Sequence, residues 1–359
     1  MEIQNTAPAM LALIPQPSFC AENGTIVHVN DAARQLQITP GIRVMDILKT
    51  GKDEYSNFLD GCLYLTIVLS ECQFCACVTK VNDFDVFTIE QEDYRAQLQP
   101  LALAAKELRR PLTGIMTVAD SLFPALEQTD DPKTAQKIAQ LNRSLYQLQR
   151  IIGNMSDAGR MKNRASSYLE MRDICSVLQE LVQKLEDLAA QNELVFRYHL
   201  PTQQIYCPVD SELLERAVYN LVSNAFKFTP PGGEIELNLQ QQRNHLYLSI
   251  TNHGTIPSEL LGNIFTRYLR SPAIEDSRYG IGLGMVLIRS AAAAHGGTVL
   301  VQQLDNQCVR VTMSISLVQN DTILRSNIQK VDYAGERSHL LVELSDCLRA
   351  ENYKFENTD

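Results

Sequence analysis

Residues Asn220–Pro231 read NLVSNAFKFTPP, and residues Tyr279–Gly284 read YGIGLG. The first stretch predicts an amphipathic helix with Asn220, Asn224 and Lys227 on one face, because these positions are four and three residues apart. The second places glycines at the start of an apolar helix, where free backbone N–H groups favour a phosphate. Amide oxygens suit a hydrated metal ion. Together the two stretches indicate binding of a magnesium nucleotide.

Two more stretches lie between these, Ser249–Pro257 (SITNHGTIP) and Asn263–Arg270 (NIFTRYLR). In this order, the segments NLVSNAFKFTPPGG, TNHG, IFTRYLR and GIGLGMVLIRSAAAAHGG resemble the N, G1, F and G2 boxes of bacterial sensor histidine kinases. The resemblance covers about Ala165–Leu317. It implies an ATP-binding α/β sandwich of the histidine kinase, gyrase and Hsp90 type.

The resemblance also implies which residues bind ATP and Mg. Asn224 would ligate Mg, Lys227 would meet the phosphates, and Asn252 stands where the family usually has an aspartate that accepts a hydrogen bond from adenine. An amide oxygen can still accept that bond. Ser271–Arg278 would form a lid, and Arg270 would reach a phosphate or make a surface salt bridge. The full predicted ATP site comprises Asn220, Asn224, Lys227, Asn252, Gly254, Phe265, Arg270, Gly280, Gly282 and Gly284.

Composition limits the other functions. The chain has 359 residues, enough for two or three domains, and a net charge of −10 that argues against a nucleic-acid surface or a polybasic membrane anchor. No signal peptide opens the sequence, and the most apolar run, Leu63–Val78, is interrupted by Ser70 and Glu71. We therefore expect a cytoplasmic protein with no membrane span, in which the nine cysteines are reduced.

The first 90 residues predict a small mixed α/β unit. Gln16–Val29 has the pattern of two strands joined at Asn23-Gly24, and Asn30-Asp31 can cap the helix that follows. This arrangement resembles a PAS sensory domain, although a ligand-free dimerisation or relay module would show the same pattern. Cys72, Cys75 and Cys77 lack a nearby fourth ligand, so a structural role is favoured over a metal site.

From Asp93 the pattern changes to long helices. Four apolar residues recur every seventh position, and a second series alternates by three and four after a break at Gln128–Pro132. The two series are Leu101, Leu108, Ile115 and Leu122, then Ile138, Leu141, Leu145, Leu148, Ile152 and Met155. Two antiparallel helices leave an apolar stripe uncovered, which predicts pairing with a second hairpin as a four-helix bundle, most simply in a homodimer.

This hairpin resembles the dimerisation and phosphotransfer hairpin of histidine kinases, and Lys106–Leu112 reads KELRRPL. The family pattern is His-Glu-Leu-Arg-Thr-Pro-Leu, so Lys106 occupies the acceptor position, Glu107 keeps the acid and Arg110 replaces threonine. A lysine that is protonated at neutral pH offers no lone pair to the γ-phosphate. We therefore expect the chain not to phosphorylate itself at this position.

The predicted organisation is a PAS-like sensory domain (1–90), a phosphotransfer-like helical hairpin (91–162), an ATP-binding catalytic domain (165–318) and a tail (319–359) that is helical at Ser338–Ala350. The tail would dock on its own domain or bind a partner. The leading hypothesis is a two-component histidine kinase homologue that binds Mg-ATP and works with a response regulator and a second histidine kinase. The alternative is a non-catalytic scaffold under nucleotide control; an anti-sigma-factor type serine kinase would not need the hairpin.

Overall fold

The computed structural model describes residues 11–90, 93–127, 131–160, 169–257, 261–262, 264–265, 282–304, 307–318, 337–354 and 357. The strands are β1 (Ser18–Glu22), β2 (Thr25–Val29), β3 (Cys62–Leu69), β4 (Cys72–Val81), β5 (Phe84–Ile89), β6 (Glu170–Asp173), β7 (Val195–His199), β8 (Tyr206–Val209), β9 (Glu234–Gln242), β10 (His245–His253), β11 (Val299–Leu304) and β12 (Cys308–Ser316). The helices are α1 (Asp31–Gln35), α2 (Val44–Ile47), α3 (Lys52–Ser56), α4 (Asp93–Glu127), α5 (Pro132–Arg160), α6 (Ile174–Gln191), α7 (Ser211–Phe228), α8 (Gly284–Ala294) and α9 (His339–Glu343), followed by a 3-10 turn, Ala350–Tyr353.

The N-terminal unit is a five-stranded antiparallel sheet in the order β2-β1-β5-β4-β3. Asn23 and Gly24 both have positive φ, which is the conformation that a two-residue hairpin turn requires. Asn30 caps α1, since its side-chain oxygen accepts from the Ala33 N–H at 2.9 Å. The predicted hairpin and cap are therefore confirmed.

The N-terminal sheet continues into a second sheet through its β3 edge. Strand β3 pairs antiparallel with β11 over three positions, and the result is one sheet of ten strands in the order β2-β1-β5-β4-β3-β11-β12-β10-β9-β7. The loop before β3 approaches β11 closely, because a Cβ added at Gly61 would lie 2.2 Å from the Val301 carbonyl oxygen. Nothing in the sequence indicates this joint between the two sheets.

Helices α4 and α5 form the predicted antiparallel hairpin. Its interior contains Ala105, Leu112, Met116, Phe123, Ile138, Leu145 and Ile152. Most of the heptad residues of α4 lie on the outer surface of the hairpin, since Leu108, Ile115 and Leu122 are about half exposed. Helix α4 thus carries two apolar stripes, one inside the hairpin and one on its outer surface.

The C-terminal half of the large sheet has three helices on one face. Alternate residues of β9 and β10, including Ile235, Leu237, Leu248 and Ile250, share a core with α6, α7 and α8. Asp173 and Asp210 cap α6 and α7 by accepting backbone N–H groups. The fold class expected from the sequence is confirmed as a mixed α/β protein with an N-terminal sheet, a helical hairpin and an α/β sandwich.

Residues 337–354 return to the hairpin and the sandwich. Helix α9 is shorter than the predicted Ser338–Ala350, but Leu340, Leu341, Leu344 and Leu348 are all buried. The segment therefore docks on its own chain, which the sequence had left open. None of the helices in the described ranges combines the length and apolar character that crossing a membrane requires.

Candidate nucleotide-binding site

Helix α7 places Asn220 at the centre of the site. Its side chain is 1% exposed, and its amide nitrogen donates to the Arg216 carbonyl oxygen at 2.8 Å. Within the described residues, its side-chain oxygen has no hydrogen-bond partner. A buried amide oxygen without a partner is costly, which makes this atom a candidate acceptor or metal ligand.

The glycine end of α8 faces the same asparagines. A Cβ added at Gly284 would lie 3.0 Å from the Asn220 side-chain oxygen and 3.9 Å from the Asn224 side-chain nitrogen. The Asn224 amide also lies 3.6 Å from the Met285 sulfur. Two asparagines and the glycine-rich helix start, far apart in sequence, therefore meet as predicted. Gly282, just before the helix, has φ +78°, which favours glycine.

The end of β10 lies beside the C-terminal end of α7. Asn252 is buried and donates from its side-chain nitrogen to the His253 carbonyl oxygen at 2.9 Å, which fixes the orientation of the amide. A Cβ added at Gly254 would lie 3.2 Å from the Phe228 carbonyl oxygen. Lys227 is half-buried next to these residues, with its amine 5.6 Å from the Phe228 ring centre.

Phe265 packs against Tyr64 of the N-terminal sheet, a contact that the sequence did not predict. It is 1% exposed, and its ring centre lies 5.5 Å from that of Tyr64 on β3 of the N-terminal sheet. Three parts of the predicted site lie outside the described residues: Arg270, Gly280 and the lid Ser271–Arg278.

Arg289 ties α8 to the N-terminal unit. Its guanidinium lies 5.3 Å from the Tyr64 ring centre and forms an ion pair with Glu90, and the side chains of Arg289 and Glu90 are 3% and 17% exposed. The helix that begins at the glycines is thus held by the domain that precedes the hairpin. Sequence analysis missed Tyr64, Glu90 and Arg289, because an arginine on an apolar helix carries no local sign of its distant partner.

His295 closes the opposite end of α8. One ring nitrogen, Nε2, accepts from the Asp210 backbone N–H at 3.0 Å, and Nδ1 lies 2.6 Å from the Ala291 carbonyl oxygen. Burial lowers the pKa of His295 and favours the neutral ring. His295 is the C-cap residue of α8, and its ring also ties α8 to the start of α7.

The segment that resembles the phosphorylation site lies on the surface of the hairpin. Lys106, Glu107 and Arg110 are exposed, while Ala105 and Leu112 beside them are buried between the helices. No ion pair within the described part of the chain involves these three side chains. A polar group on a partner would therefore meet them without displacing an internal contact.

The fold and site define a protein with a nucleotide-binding sandwich joined to a two-helix hairpin. Two family models agree. The His Kinase A (phospho-acceptor) domain matches residues 96–164, and the histidine kinase-, DNA gyrase B- and HSP90-like ATPase matches residues 209–319. The chain belongs to the sensor histidine kinase family and carries the ATP-binding domain of two-component signal transduction.

Several sensor kinases are similar in sequence to part or most of this chain. It is 29% identical over 229 residues to Sensor protein KdpD of Clostridium acetobutylicum, which is 62% of this chain and 25% of that protein. It is 26% identical over 331 residues to the adaptive-response sensory kinase SasA of Gloeothece citriformis, with 86% and 80% covered. The chain spans 15% of hybrid signal transduction histidine kinase D of Dictyostelium discoideum, at 25% identity over 62% of its own length.

Two solved structures are similar to parts of the chain. Full-length ShkA in complex with AMPPNP is 22% identical, covers 63% of this chain and 47% of that chain, and has a TM-score of 0.47. The complex of histidine kinase ThkA with response regulator protein TrrA is 17% identical to this chain. It covers 85% of this chain and 96% of that one, with a TM-score of 0.38.

Proposed function

We propose that the chain binds Mg-ATP between α7, α8 and the end of β10. The unpartnered, buried side-chain oxygen of Asn220, facing Gly284, is the observation that carries this proposal. Neutral amide oxygens fit a magnesium ion that keeps most of its ligands from phosphate and water. Asn224 would hold the ion with support from Asn220, and the ion would neutralise phosphate charge.

The other residues would orient the nucleotide. Lys227 lies on the last turn of α7, where its amine can meet the phosphates. Asn252 would accept from the adenine amino group, and Gly254 leaves room for the base because it has no side chain. Gly282 and Gly284 would present backbone N–H groups to phosphate oxygens. Phe265, Arg270 and Gly280 complete the proposed set by family resemblance.

The residue at the acceptor position does not suit a complete kinase reaction. In the family a histidine nitrogen attacks the γ-phosphate, and here Lys106 stands at that position beside Glu107. We infer that the chain does not phosphorylate its own hairpin. It would instead transfer phosphate to a second histidine kinase subunit whose hairpin keeps the histidine, and so feed a phosphorelay that ends at a response regulator.

The outer surface of the hairpin supports a dimeric form. Leu108, Ile115, Leu122, Leu141 and Leu148 are each between 47% and 56% exposed. Large exposed apolar side chains along both helices would be covered in a four-helix bundle. We propose that a second hairpin, from a copy of this chain or from the partner kinase, covers these side chains. We also propose that the protein is cytoplasmic.

The proposed organisation retains the limits expected from the sequence. These are a PAS-like input domain (1–90), the hairpin (91–162), the catalytic domain (165–318) and the tail (319–359). The N-terminal five-stranded sheet with short helices supports the PAS-like assignment.

Two measurements test the proposal: a thermal shift on adding Mg-ATP, and label transfer from γ-labelled ATP. In the first, we expect ATP to raise the melting temperature of the wild-type chain but not of Asn224→Ala. The control Gln240→Ala, exposed on β9, should behave as wild type. No acid-labile label should appear on the chain alone. Label should appear when a cognate kinase with an intact acceptor histidine, but with its own ATP site disabled, is added.

A scaffold is the alternative, favoured by the three surface positions Lys106, Glu107 and Arg110, which can bind a partner without chemistry. It predicts that a variant unable to bind ATP, such as Asn224→Asp, keeps its activity in cells. Label that appears on the chain alone and survives Lys106→Ala would contradict both proposals, because it requires an acceptor elsewhere.

A further inference from the structure

Many side chains of the segment 337–354 are buried. Leu344, Leu348 and Tyr353 have no exposed surface, and all three belong to the same core as the ATP-binding sandwich. Helix α9 contacts both helix α5 of the hairpin and helix α7 of the sandwich, and the 3-10 turn that carries Tyr353 contacts α5. The segment therefore contributes to the packing between two parts of the protein.

Polar side chains of α5 hold the backbone of this segment. The Asn142 amide donates to the Tyr353 carbonyl oxygen at 2.8 Å, and the Tyr353 ring lies edge-on to Tyr146 with 5.1 Å between ring centres. Arg143 and Gln147 donate to the Ser345 carbonyl oxygen at 3.0 and 3.1 Å. Four positions spread over two turns of one helix thus bind the segment.

A fully buried carboxylate lies between the two domains. The Glu343 carboxylate is 3.3 Å from the Arg150 guanidinium of α5 and 3.5 Å from the Arg216 guanidinium of α7. Arg150 also pairs with Asp346 at 2.6 Å and donates to the Ser223 hydroxyl of α7 at 2.9 Å. One glutamate in the segment therefore bridges an arginine from each domain.

The two arginines that Glu343 bridges are buried, so each depends on nearby carboxylates to balance its charge. Arg150 and Arg216 are 8% and 3% exposed, so two guanidinium groups lie close together with little access to water. Asp157 and Asn154 of α5 also bind Arg216, but Glu343 is the group shared by both arginines. If Glu343 moves away, each arginine keeps a buried charge with less compensation. The segment therefore stabilises the packed arrangement of the two arginines.

We propose that residues 337–354 are an intramolecular latch that holds the ATP-binding domain in one arrangement on helix α5, with Glu343 as the closing residue. Arg216 is one helical turn before Asn220, and its carbonyl oxygen accepts from the Asn220 amide. The latch thus fixes the helix that carries the candidate nucleotide ligands. Opening it would free the sandwich to move along the hairpin. This inference does not depend on ATP binding or on phosphate transfer.

The native thiol of Cys347 reports on the latch. Cys347 lies within the segment, its thiol donates to the Leu344 carbonyl oxygen at 3.1 Å, and burial raises its pKa to about 11. A closed latch therefore keeps the thiol protonated and slow to react. Cys20, buried in the N-terminal sheet, has a pKa raised to about 11 by burial as well and reports on unfolding of a separate region.

The experiment measures alkylation of both cysteines by peptide mass spectrometry in the full chain. Glu343→Gln keeps the shape of the side chain and removes its charge. We expect Cys347 to react at least about tenfold faster in this variant with Cys20 unchanged. The control is Arg349→Ala, in the same segment as Glu343. It removes an exposed ion pair with Glu193 of the sandwich and should leave both labelling rates as in wild type.

Small-angle X-ray scattering then tests whether opening releases the domain, and we expect a larger radius of gyration for Glu343→Gln. An unchanged Cys347 rate would overturn the latch. So would faster Cys347 labelling with unchanged scattering, because the segment would then open without freeing the domain. If Glu343→Gln does not fold, Asp346→Asn replaces it, since Asp346 is partly exposed and its partner among the described residues is Arg150. Scattering alone decides for that variant, because burial and the Asp346 charge itself both raise the pKa of the neighbouring Cys347 thiol; an unchanged radius of gyration would overturn the latch.

Discussion

Replacing Gly61 by alanine tests the joint between the N-terminal sheet and the ATP-binding sandwich. Gly61 has φ +92° and a Cβ there would lie 2.2 Å from the Val301 carbonyl oxygen. Val301 cannot move away freely, because it pairs with Cys62 on one side and with Val311 on the other. The new methyl group must therefore separate β3 from β11 or strain the loop that precedes β3.

Two terms set the size of the effect. The positive φ costs a residue with a side chain roughly 1–2 kcal/mol. The forced contact adds roughly 1–3 kcal/mol, as for an extra methyl group in a packed interior. Gly41→Ala is the matched control, since Gly41 has φ +94° and nothing within 4 Å of the added Cβ. It carries the first term without the second.

Thermal denaturation and hydrogen exchange measure the difference. We expect Gly61→Ala to melt roughly 2–12 °C below Gly41→Ala, because about 1 kcal/mol shifts a domain of this size by about 2–4 °C. Exchange should rise in β3 and β11 of Gly61→Ala alone. Equal melting temperatures for the two variants, with unchanged exchange in β11, would refute the view that the two sheets are one continuous unit.

Three further substitutions test separate contacts. Because burial lowers the pKa of His295 below its usual value, the unfolded chain binds that proton more readily, and stability should fall as the pH drops below about 6.5; His295→Gln should remove this dependence in melting curves from about pH 8 to about pH 5. Glu90→Gln leaves Arg289 buried without its carboxylate and should cost about 3–5 kcal/mol by chemical denaturation. Asn30→Ala loses the α1 cap and three donations to carbonyl oxygens near the chain start, and should cost at least about 1–2 kcal/mol in the same assay.

The sequence predicted the elements whose causes are local. The Asn23-Gly24 turn, the Asn30 cap and the spacing of Asn220 and Asn224 depend on neighbouring residues, and the structure has each of them. The glycine start of α8 was also placed correctly. Such features follow from backbone conformation and helical periodicity, which a few residues determine.

The contacts between domains were not predictable in this way. Nothing in the sequence near Tyr64 indicates that it will lie against Arg289, more than two hundred residues later. Glu343 lies in the predicted tail helix Ser338–Ala350, and nothing in that helix indicates the two distant arginines between which the side chain is buried. The heptad of α4 shows the same limit, since periodicity indicates that an apolar stripe exists but not which neighbour covers it.

The two domain contacts act on the two helices that form the candidate site. Arg289 ties α8 to Glu90 and the N-terminal sheet, while Arg216 ties α7 to Glu343 and the hairpin. Asn220 and Gly284 meet where these two helices touch, so their separation depends on how α8 is held relative to α7. A shift of the N-terminal unit would move α8 relative to α7, whereas release of residues 337–354 would move both helices together. The first change alters the shape of the candidate site, and the second alters only its position along the hairpin.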